Sequence, residues 1–429
     1  MTRRKMPPTG EATYRKVSWR IIPILLACYI FSYLDRVNVG FAKLTMMSDL
    51  GFSDAVYGLG AGIFFIGYFA FEIPSNVILH RVGAKRWIAR IMLTWGLLSA
   101  GTAFVTTAAQ FYTARLALGI AEAGFFPGVL LYLTYWYPSQ RSSRAVALFM
   151  TAVPLTGVIG SPLSGWILRS TQGAYGLLGW QWLFVLEALP AVVGTVLVLR
   201  ALPNGIRDAD WLDADEKVSL EHAVTSEQHL KPAHAFTDAF HRLDTWLFAV
   251  IYFSLVVGLY GISFWLPTII HATGVNDSLR IGLLTAIPYA VATLVMIPAS
   301  LRSDRTGERR GHVAIPALLG AAGFALSLLS SQSTLWAVIS MTIATSGVIT
   351  ALPVFWSLPT ERLGGTAAAA GLALINSIGN LGGFVSPYLI GLLSAMTHNT
   401  RAGVVMMTCA LVLAAFLIGC VPSLRRSSP

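Results

Sequence analysis

Charge is scarce in this 429-residue sequence: Asp, Glu, Lys and Arg make up 12% of it, about half the share carried by soluble domains. A soluble fold is thereby excluded, because 55% of the residues are hydrophobic, the mean hydropathy is +0.66 and nothing polar is left to cover that surface. Cysteine is nearly absent. The three present, Cys28, Cys409 and Cys420, all fall in apolar stretches where a free thiol acts as a small hydrophobe, so a disulfide framework is not expected. The catalytic signatures are missing too: no P-loop, no H-E-x-x-H and no G-x-S-x-G occurs, which removes the sites for ATP-driven pumping and for the commonest hydrolytic chemistries. No hydrophilic stretch exceeds that at 203–243, so no soluble catalytic domain is expected, and neither a cofactor nor enzymatic activity is anticipated. The eight histidines lie in loops or at helix ends, which leaves carboxyl groups as the candidate proton carriers inside the apolar stretches.

What the sequence has in abundance is long apolar runs. Segments of about 20 residues recur along its whole length, each long enough to cross roughly 30 Å of hydrocarbon as a helix. They predict an all-α integral membrane protein with twelve transmembrane helices at 19–41, 55–79, 87–108, 110–136, 143–168, 181–202, 244–270, 279–301, 313–331, 335–357, 366–393 and 402–421. The basic 1–20 region runs directly into the first of them, as in a retained first helix rather than a cleaved signal peptide.

The net charge of +10 would suit a nucleic-acid binder if its basic residues were clustered for that purpose, but their placement points to a membrane. With helices alternating from a cytoplasmic N-terminus, 24 of the 30 Lys and Arg residues fall on the inner side. Four (Lys43, Arg169, Arg280, Arg401) fall outside, and two (Arg36, Arg115) lie within helices. The positive-inside rule then sets both termini in the cytoplasm of a cell inner (plasma) membrane, with lipid rather than nucleic acid as the partner and a monomer as the expected state. The organisation is a tail at 1–18, a six-helix bundle at 19–202, a cytoplasmic linker at 203–243, a second six-helix bundle at 244–421 and a tail at 422–429.

The halves read as repeats. His80-Arg81-Val82-Gly83-Ala84-Lys85-Arg86 recurs as Asp304-Arg305-Thr306-Gly307-Glu308-Arg309-Arg310 at an offset of 224. Ser161-Pro162 answers Ser386-Pro387 at 225, and Pro138-Ser139-Gln140-Arg141 answers Pro359-Thr360-Glu361-Arg362 at 221. Three coincidences at nearly one offset argue for duplication of a six-helix unit, an architecture that binds its substrate near the midplane between the halves.

These loops resemble the signature that the major facilitator superfamily carries between helices 2 and 3 and repeats between helices 8 and 9, with His80 standing where the first copy usually has Asp. Arg115-x-x-x-Gly119 resembles the superfamily's helix 4 motif, and Gly157-x-x-Gly160-Ser161-Pro162-x-x-Gly165 part of its helix 5 motif. More narrowly, Tyr33-Leu34-Asp35-Arg36-Val37-Asn38 with Arg115 and Glu122 is similar to the anion:cation symporter family, whose members mostly import organic acids. The resemblance implies two pseudo-symmetric six-helix bundles and a proton-coupled importer of a small organic carboxylate. It also implies substrate contact by Tyr33, Tyr68, Trp356, Asn376 and Asn380.

A charged side chain at the bilayer centre costs about 2.5–3.5 kcal/mol on insertion scales, which makes each one a functional candidate. Those set more than a turn inside the ends of the predicted spans are Asp35, Arg36, Glu72, Arg115, Glu122 and Glu187, all in the first half. By helical rise Asp35 and Arg115 are level and positioned to pair, while Glu122 lies two turns, roughly 10 Å, beyond Arg115 near the midplane. Glu122 is the first candidate for proton coupling and Asp35 the second, because a carboxyl group in a low dielectric can be protonated near neutral pH. Arg36, with Arg115 beside it, is the candidate anion anchor, since a guanidinium forks onto a carboxylate; the alternative is that Arg36 only partners an acid. Glu72 and Glu187 fit a gate or a structural hydrogen bond better. A proton-coupled exporter of organic anions or drugs is the rival function, because the helix 5 motif is associated with antiport.

Overall fold

The computed structural model describes residues 10–228, 242–329, 333–362 and 366–421. The tails expected at 1–9 and 422–429, and 229–241 of the linker, lie outside the described residues.

Among the described residues the two halves form twelve helical rods. In the first half these are α1 (Glu11–Val37) continuing through Asn38 into α2 (Val39–Leu50), α3 (Asp54–Val82), α4 (Ala84–Gly101), α5 (Ala108–Glu122) with α6 (Phe125–Thr134), α7 (Ser139–Met150) with α8 (Ala152–Ser170), and α9 (Gly179–Ala201). The helix α10 (Ala214–Gln228) follows in the linker. The second half repeats the pattern with α11 (Leu243–His271), α12 (Ser278–Thr306), α13 (Gly311–Ser327), α14 (Thr334–Arg362), α15 (Thr366–Asn380) with α16 (Gly382–Thr397), and α17 (Arg401–Cys420). Local chemistry sets the ends. Ser53, Thr107 and Asp277 accept backbone N–H groups at the starts of α3, α5 and α12, and Gly51 and Gly307 close α2 and α12 in the left-handed conformation. Leu294, Phe416 and Leu97 stand exposed on the outer flanks, as lipid-facing side chains must, while α11 is buried on nearly every side at the centre.

Two boundaries differ from the sequence expectation. The first rod begins at Glu11 and runs to Leu50 rather than spanning 19–41, so Lys43, expected in an outer loop, is instead buried in α2. It pairs with Asp54 at 2.9 Å and lies 3.9 Å from the ring centre of Trp265, which repays its desolvation. The third rod ends early, at Gly101, where a single 3₁₀ turn (Thr102–Phe104) takes over.

Call the side that carries Arg81, Lys85, Arg305 and Arg309 the basic face and the opposite side the far face. Toward the far face the halves touch along two seams, α3 against α16 and α8 against α12. These seams are symmetry mates. A side-chain carbon on Gly58 would fall 2.4 Å from the carbonyl oxygen of Pro387, and one on Gly282 would fall 2.3 Å from that of Ser161, next to Pro162. Gly58 and Gly282 are 224 residues apart and Pro162 and Pro387 are 225 apart, so the repeat legible in the sequence is the one that closes the far face. Tyr57 Oη donates to the Phe264 carbonyl at 2.9 Å, Ser394 Oγ donates to Asp54 at 2.6 Å, and Arg169 pairs with Asp277 at 3.3 Å along the same side.

Because both seams need backbone contact, Gly58→Val is expected to favour a far-face-open state. A cysteine at Ser263, just behind the seam, should then react with a membrane-impermeant maleimide from the far side roughly tenfold faster than in the parent, the population shift that about 1.4 kcal/mol of lost packing gives.

Candidate functional site

Between the halves lies a cavity of about 80 Å³ of water-accessible volume, enough for roughly half a dozen waters. Its walls come from both halves: Tyr29, Tyr33 and Arg36 on α1 and Tyr68 on α3 face Tyr260 on α11 and Asn376 and Asn380 on α15. Apolar residues of α7, α8, α11 and α14 close the rest. The enclosure is therefore mostly aliphatic and aromatic, with a few polar groups.

Arg36 is the centre of the polar network. One terminal nitrogen, Nη2, donates to Glu122 Oε1 in a close ion pair, and the other, Nη1, donates to Tyr260 Oη at 2.9 Å. Its guanidinium also lies 5.3 Å from the ring centres of Tyr68 and Phe64. The same oxygen, Glu122 Oε1, accepts from Ser32 Oγ at 2.7 Å, while Oε2 is buried without a hydrogen-bond partner among the described residues. Arg36 and Tyr260 are repeat mates at the offset of 224, so the bond between them crosses the pseudo-two-fold axis. Tyr260 escaped sequence reasoning because a tyrosine in an apolar span has no charge to flag it; that offset was the signal that could have found it.

Arg115 is fully buried behind Arg36. Its Nη2 donates to the Arg36 carbonyl oxygen at 3.3 Å, and the Phe64 ring separates the two guanidinium groups, 5.2 Å from Arg115 and 5.3 Å from Arg36. Arg115 Nε and Nη1, and Arg36 Nε, are buried without a hydrogen-bond partner among the described residues. One unmet donor thus belongs to the arginine that lines the cavity and two to the arginine buried behind it.

The expected pairing of Asp35 with Arg115 does not occur. Asp35 accepts from Trp95 Nε1 at 3.0 Å and from Ser99 Oγ at 2.7 Å, both on α4. Consecutive residues on a helix point about 100° apart, so once Arg36 faces the cavity Asp35 has to face a neighbouring helix. Glu122 does lie two turns after Arg115 on the one helix α5, and the chain turns through Ala123 and Gly124 only beyond it, before α6. Gly124 sits at φ 85°, where a side-chain carbon would also fall 2.2 Å from Ser75 Oγ. As the last residue of α5, Glu122 meets Arg36 of α1.

Of the other sequence candidates, Tyr33, Tyr68, Asn376 and Asn380 line the cavity, whereas Trp356 stands one layer back, 4.7 Å from the Tyr252 ring centre. Tyr33 Oη bonds to Ser263 Oγ at 3.1 Å on the far-face side. Glu72, a buried carboxylate on α3, accepts from Asn376 Nδ2 at 3.0 Å and so links the halves. Glu187 accepts from Ser164 Oγ at 2.6 Å within the first half. Among the described residues no cluster of His, Cys, Asp and Glu has the arrangement of a metal site.

A comparison with known families matches residues 25–387 to the sequence model described as Major Facilitator Superfamily. The chain belongs to this superfamily. It is thus a multi-pass secondary transporter and not an enzyme, with the twelve-helix fold of that superfamily. The superfamily member described as "Putative metabolite transport protein NicT" of Pseudomonas putida is 50% identical over 415 residues, covering 96% of this chain and 95% of that protein. A "Putative tartrate transporter" of Agrobacterium vitis is 44% identical, covering 97% and 92%. A "Quinolone resistance transporter" of Acinetobacter baumannii is 41% identical, covering 91% and 90%. The fold matches a bacterial homolog of the human lysosomal transporter Spinster, in an inward-facing and unoccupied conformation, with a TM-score of 0.74 at 18% identity over 95% of this chain and 97% of that one.

The bonds of Asp35 to α4 generate a prediction. An amide at this position can accept from Trp95 and donate to Ser99, so Asp35→Asn should unfold in detergent within about 1 kcal/mol of the parent. Asp35→Leu, which strands both donors in the interior, should lose about 1–3 kcal/mol.

Proposed function

We propose that this transporter imports a small organic carboxylate together with a proton, by alternating access of the two bundles at 19–202 and 244–421 about the cavity. The observation that carries this reading is the position of Arg36, which lines the cavity while bound to a buried carboxylate. A substrate carboxylate arriving in the cavity competes with Glu122 for the Arg36 fork, and the unmet donors of Arg36 and Arg115 favour the newcomer. Glu122, deprived of its counter-ion away from water, then takes up a proton, since a lone buried charge is far costlier than a neutral acid. Anion and proton enter as a pair. On release the proton leaves and Arg36 returns to Glu122, which resets the empty carrier.

The remaining assignments follow. Arg36 and Arg115 anchor the anion, Glu122 is the coupling acid, and Tyr33, Tyr68, Asn376 and Asn380 shape the pocket, with Trp356 acting through Tyr252. Asp35 serves as a second proton site or as a clamp between α1 and α4. The basic face lies in the cytoplasm, as the positive-inside rule requires, and the protein works as a monomer in the inner membrane. The names of the Pseudomonas and Agrobacterium relatives agree with carriage of a metabolite and of an organic acid.

A second reading, proton-coupled export, is favoured by the name of the Acinetobacter relative. Accumulation in right-side-out vesicles, driven by an outside-acid gradient and abolished by a protonophore, supports import; accumulation only in inverted vesicles supports export.

Two substitutions test the mechanism in reconstituted vesicles. Glu122→Gln is expected to abolish accumulation against a concentration gradient while leaving substrate exchange, because Gln leaves the site occupied but carries no proton; concentrative uptake by this variant sinks the assignment. Arg36→Lys keeps the charge and loses the fork, and should weaken apparent substrate affinity by roughly 10–100-fold, at about 1.5–3 kcal/mol for a hydrogen bond to a charged group.

A further inference from the structure

The cavity has two chemically opposite ends. At one stands Arg36, with Arg115 buried behind it. At the other stands Asn376, whose Nδ2 is committed to Glu72 Oε1 at 3.0 Å. An ionised carboxylate can only accept, so as long as Glu72 is charged Asn376 must turn its amide nitrogen toward it. That leaves the Asn376 carbonyl oxygen, which makes no hydrogen bond among the described residues, as the group available to the cavity. Glu72 itself stands behind Asn376 and is only 6% exposed. The Asn376 oxygen is therefore the unmet acceptor that this end offers to an incoming donor.

We infer that Glu72 sets substrate class by holding Asn376 as an acceptor: the cavity selects a monocarboxylate that carries a hydrogen-bond donor, such as a hydroxyl, at its other end, and rejects a second carboxylate there. The inference rests on the reading of Arg36 as the anion anchor and adds to it the identity of the opposite pole. The spacing suits a small molecule. Tyr68, which packs on Arg36, and Glu72 are one turn apart on α3, about 6 Å of rise, comparable to the span of a para-substituted ring or a four-carbon chain. A second carboxylate at the Asn376 end would meet an acceptor with the like charge of Glu72 behind it, and no donor to balance it. A neutral group without a donor would leave the Asn376 oxygen unpaired in a closed site, the circumstance in which analogues are rejected most strongly.

The experiment compares ligands that differ only at that end: benzoate, 4-hydroxybenzoate and terephthalate, and, on an aliphatic skeleton, butyrate, 4-hydroxybutyrate and succinate. Binding to the full-length protein is read by thermal shift and by competition for uptake. The parent should prefer the hydroxylated member of a set by about tenfold or more over both of its relatives. In Glu72→Gln the neutral amide frees Asn376 to rotate and present its nitrogen, so the dicarboxylate should gain about tenfold relative to the hydroxy acid. Asn376→Asp, which keeps two acceptors at that position, should retain the rejection of dicarboxylates and thus separates pole chemistry from a general loosening of the interface between the halves. Equal preference among the members of each set in the parent overturns the inference while leaving carboxylate import standing, and so does an unchanged ratio in a folded Glu72→Gln. Failure of every carboxylate to bind overturns the reading on which it rests.

Discussion

A guanidinium held in the middle of a membrane protein must have a counter-charge, and the pairing of Arg36 with Glu122 is the constraint around which the first half is arranged. Neither group can be left alone without several kcal/mol of uncompensated desolvation. The carboxylate reaches α1 from the last residue of α5, immediately before helix 4 breaks at Ala123 and Gly124. Ser32 is placed one turn before Arg36 to bond the same oxygen, and Phe64 separates Arg36 from the second arginine. The second half contributes no charge here. It supplies Tyr260, the repeat mate of Arg36, as a neutral acceptor across the pseudo-axis. Duplication gave two equivalent positions, and only one of them kept a cation.

That asymmetry bears on how the halves can move. Two bundles that rock about a shared axis need contacts that are easily broken at the faces and durable near the pivot. The far-face seams are glycine-backbone contacts, strong in dispersion when closed but carrying no buried charge that opening would strand. Lys43 and Asp54, which do carry charge there, pair within the first half; the second half meets their charged groups through the Trp265 ring and the Ser394 hydroxyl. Opening the seam therefore exposes an ion pair that remains a pair. The Arg36–Tyr260 bond, by contrast, sits where the two central helices meet, and a neutral hydroxyl is a partner that Arg36 can relinquish to an anion.

Much of this was legible in the sequence. Helix number, alternation and depth follow from hydrophobic length and from 1.5 Å of rise per residue, and the two-fold relation of Gly58 with Pro387 to Gly282 with Pro162 is written in the offset of 224–225. The buried charges announced themselves by their cost in lipid. What depth could not supply was direction around each helix. Asp35 and Arg115 are level yet unpaired because neighbouring Arg36 takes the inward direction and leaves Asp35 facing Trp95 and Ser99 on α4. Lys43 read as a loop residue because its compensation is an aromatic ring more than 200 positions away. Contacts such as Glu72 with Asn376 join residues from different halves, and no local pattern reports them.

The inventory of buried groups also bears on the direction of coupling. The cavity region holds two arginines, Arg36 and Arg115, and four carboxyl groups, Asp35, Glu72, Glu122 and Glu187, all largely shielded from water. Arginine does not give up its proton in a protein, so every adjustment of charge in this region has to be made by a carboxyl group. Were all four ionised the region would carry a surplus of negative charge, and an arriving organic anion would deepen it, which a low dielectric strongly opposes. On the proposed reading an anion enters with a proton delivered to one of those carboxylates and leaves when that proton leaves as well. A carrier for an organic cation would need the opposite exchange, a proton out for each cation in. The excess of acids over arginines permits either, but Arg36 at the cavity wall, with Arg115 behind it, offers nothing to a cation, and it is this that favours the proposed symport over exchange.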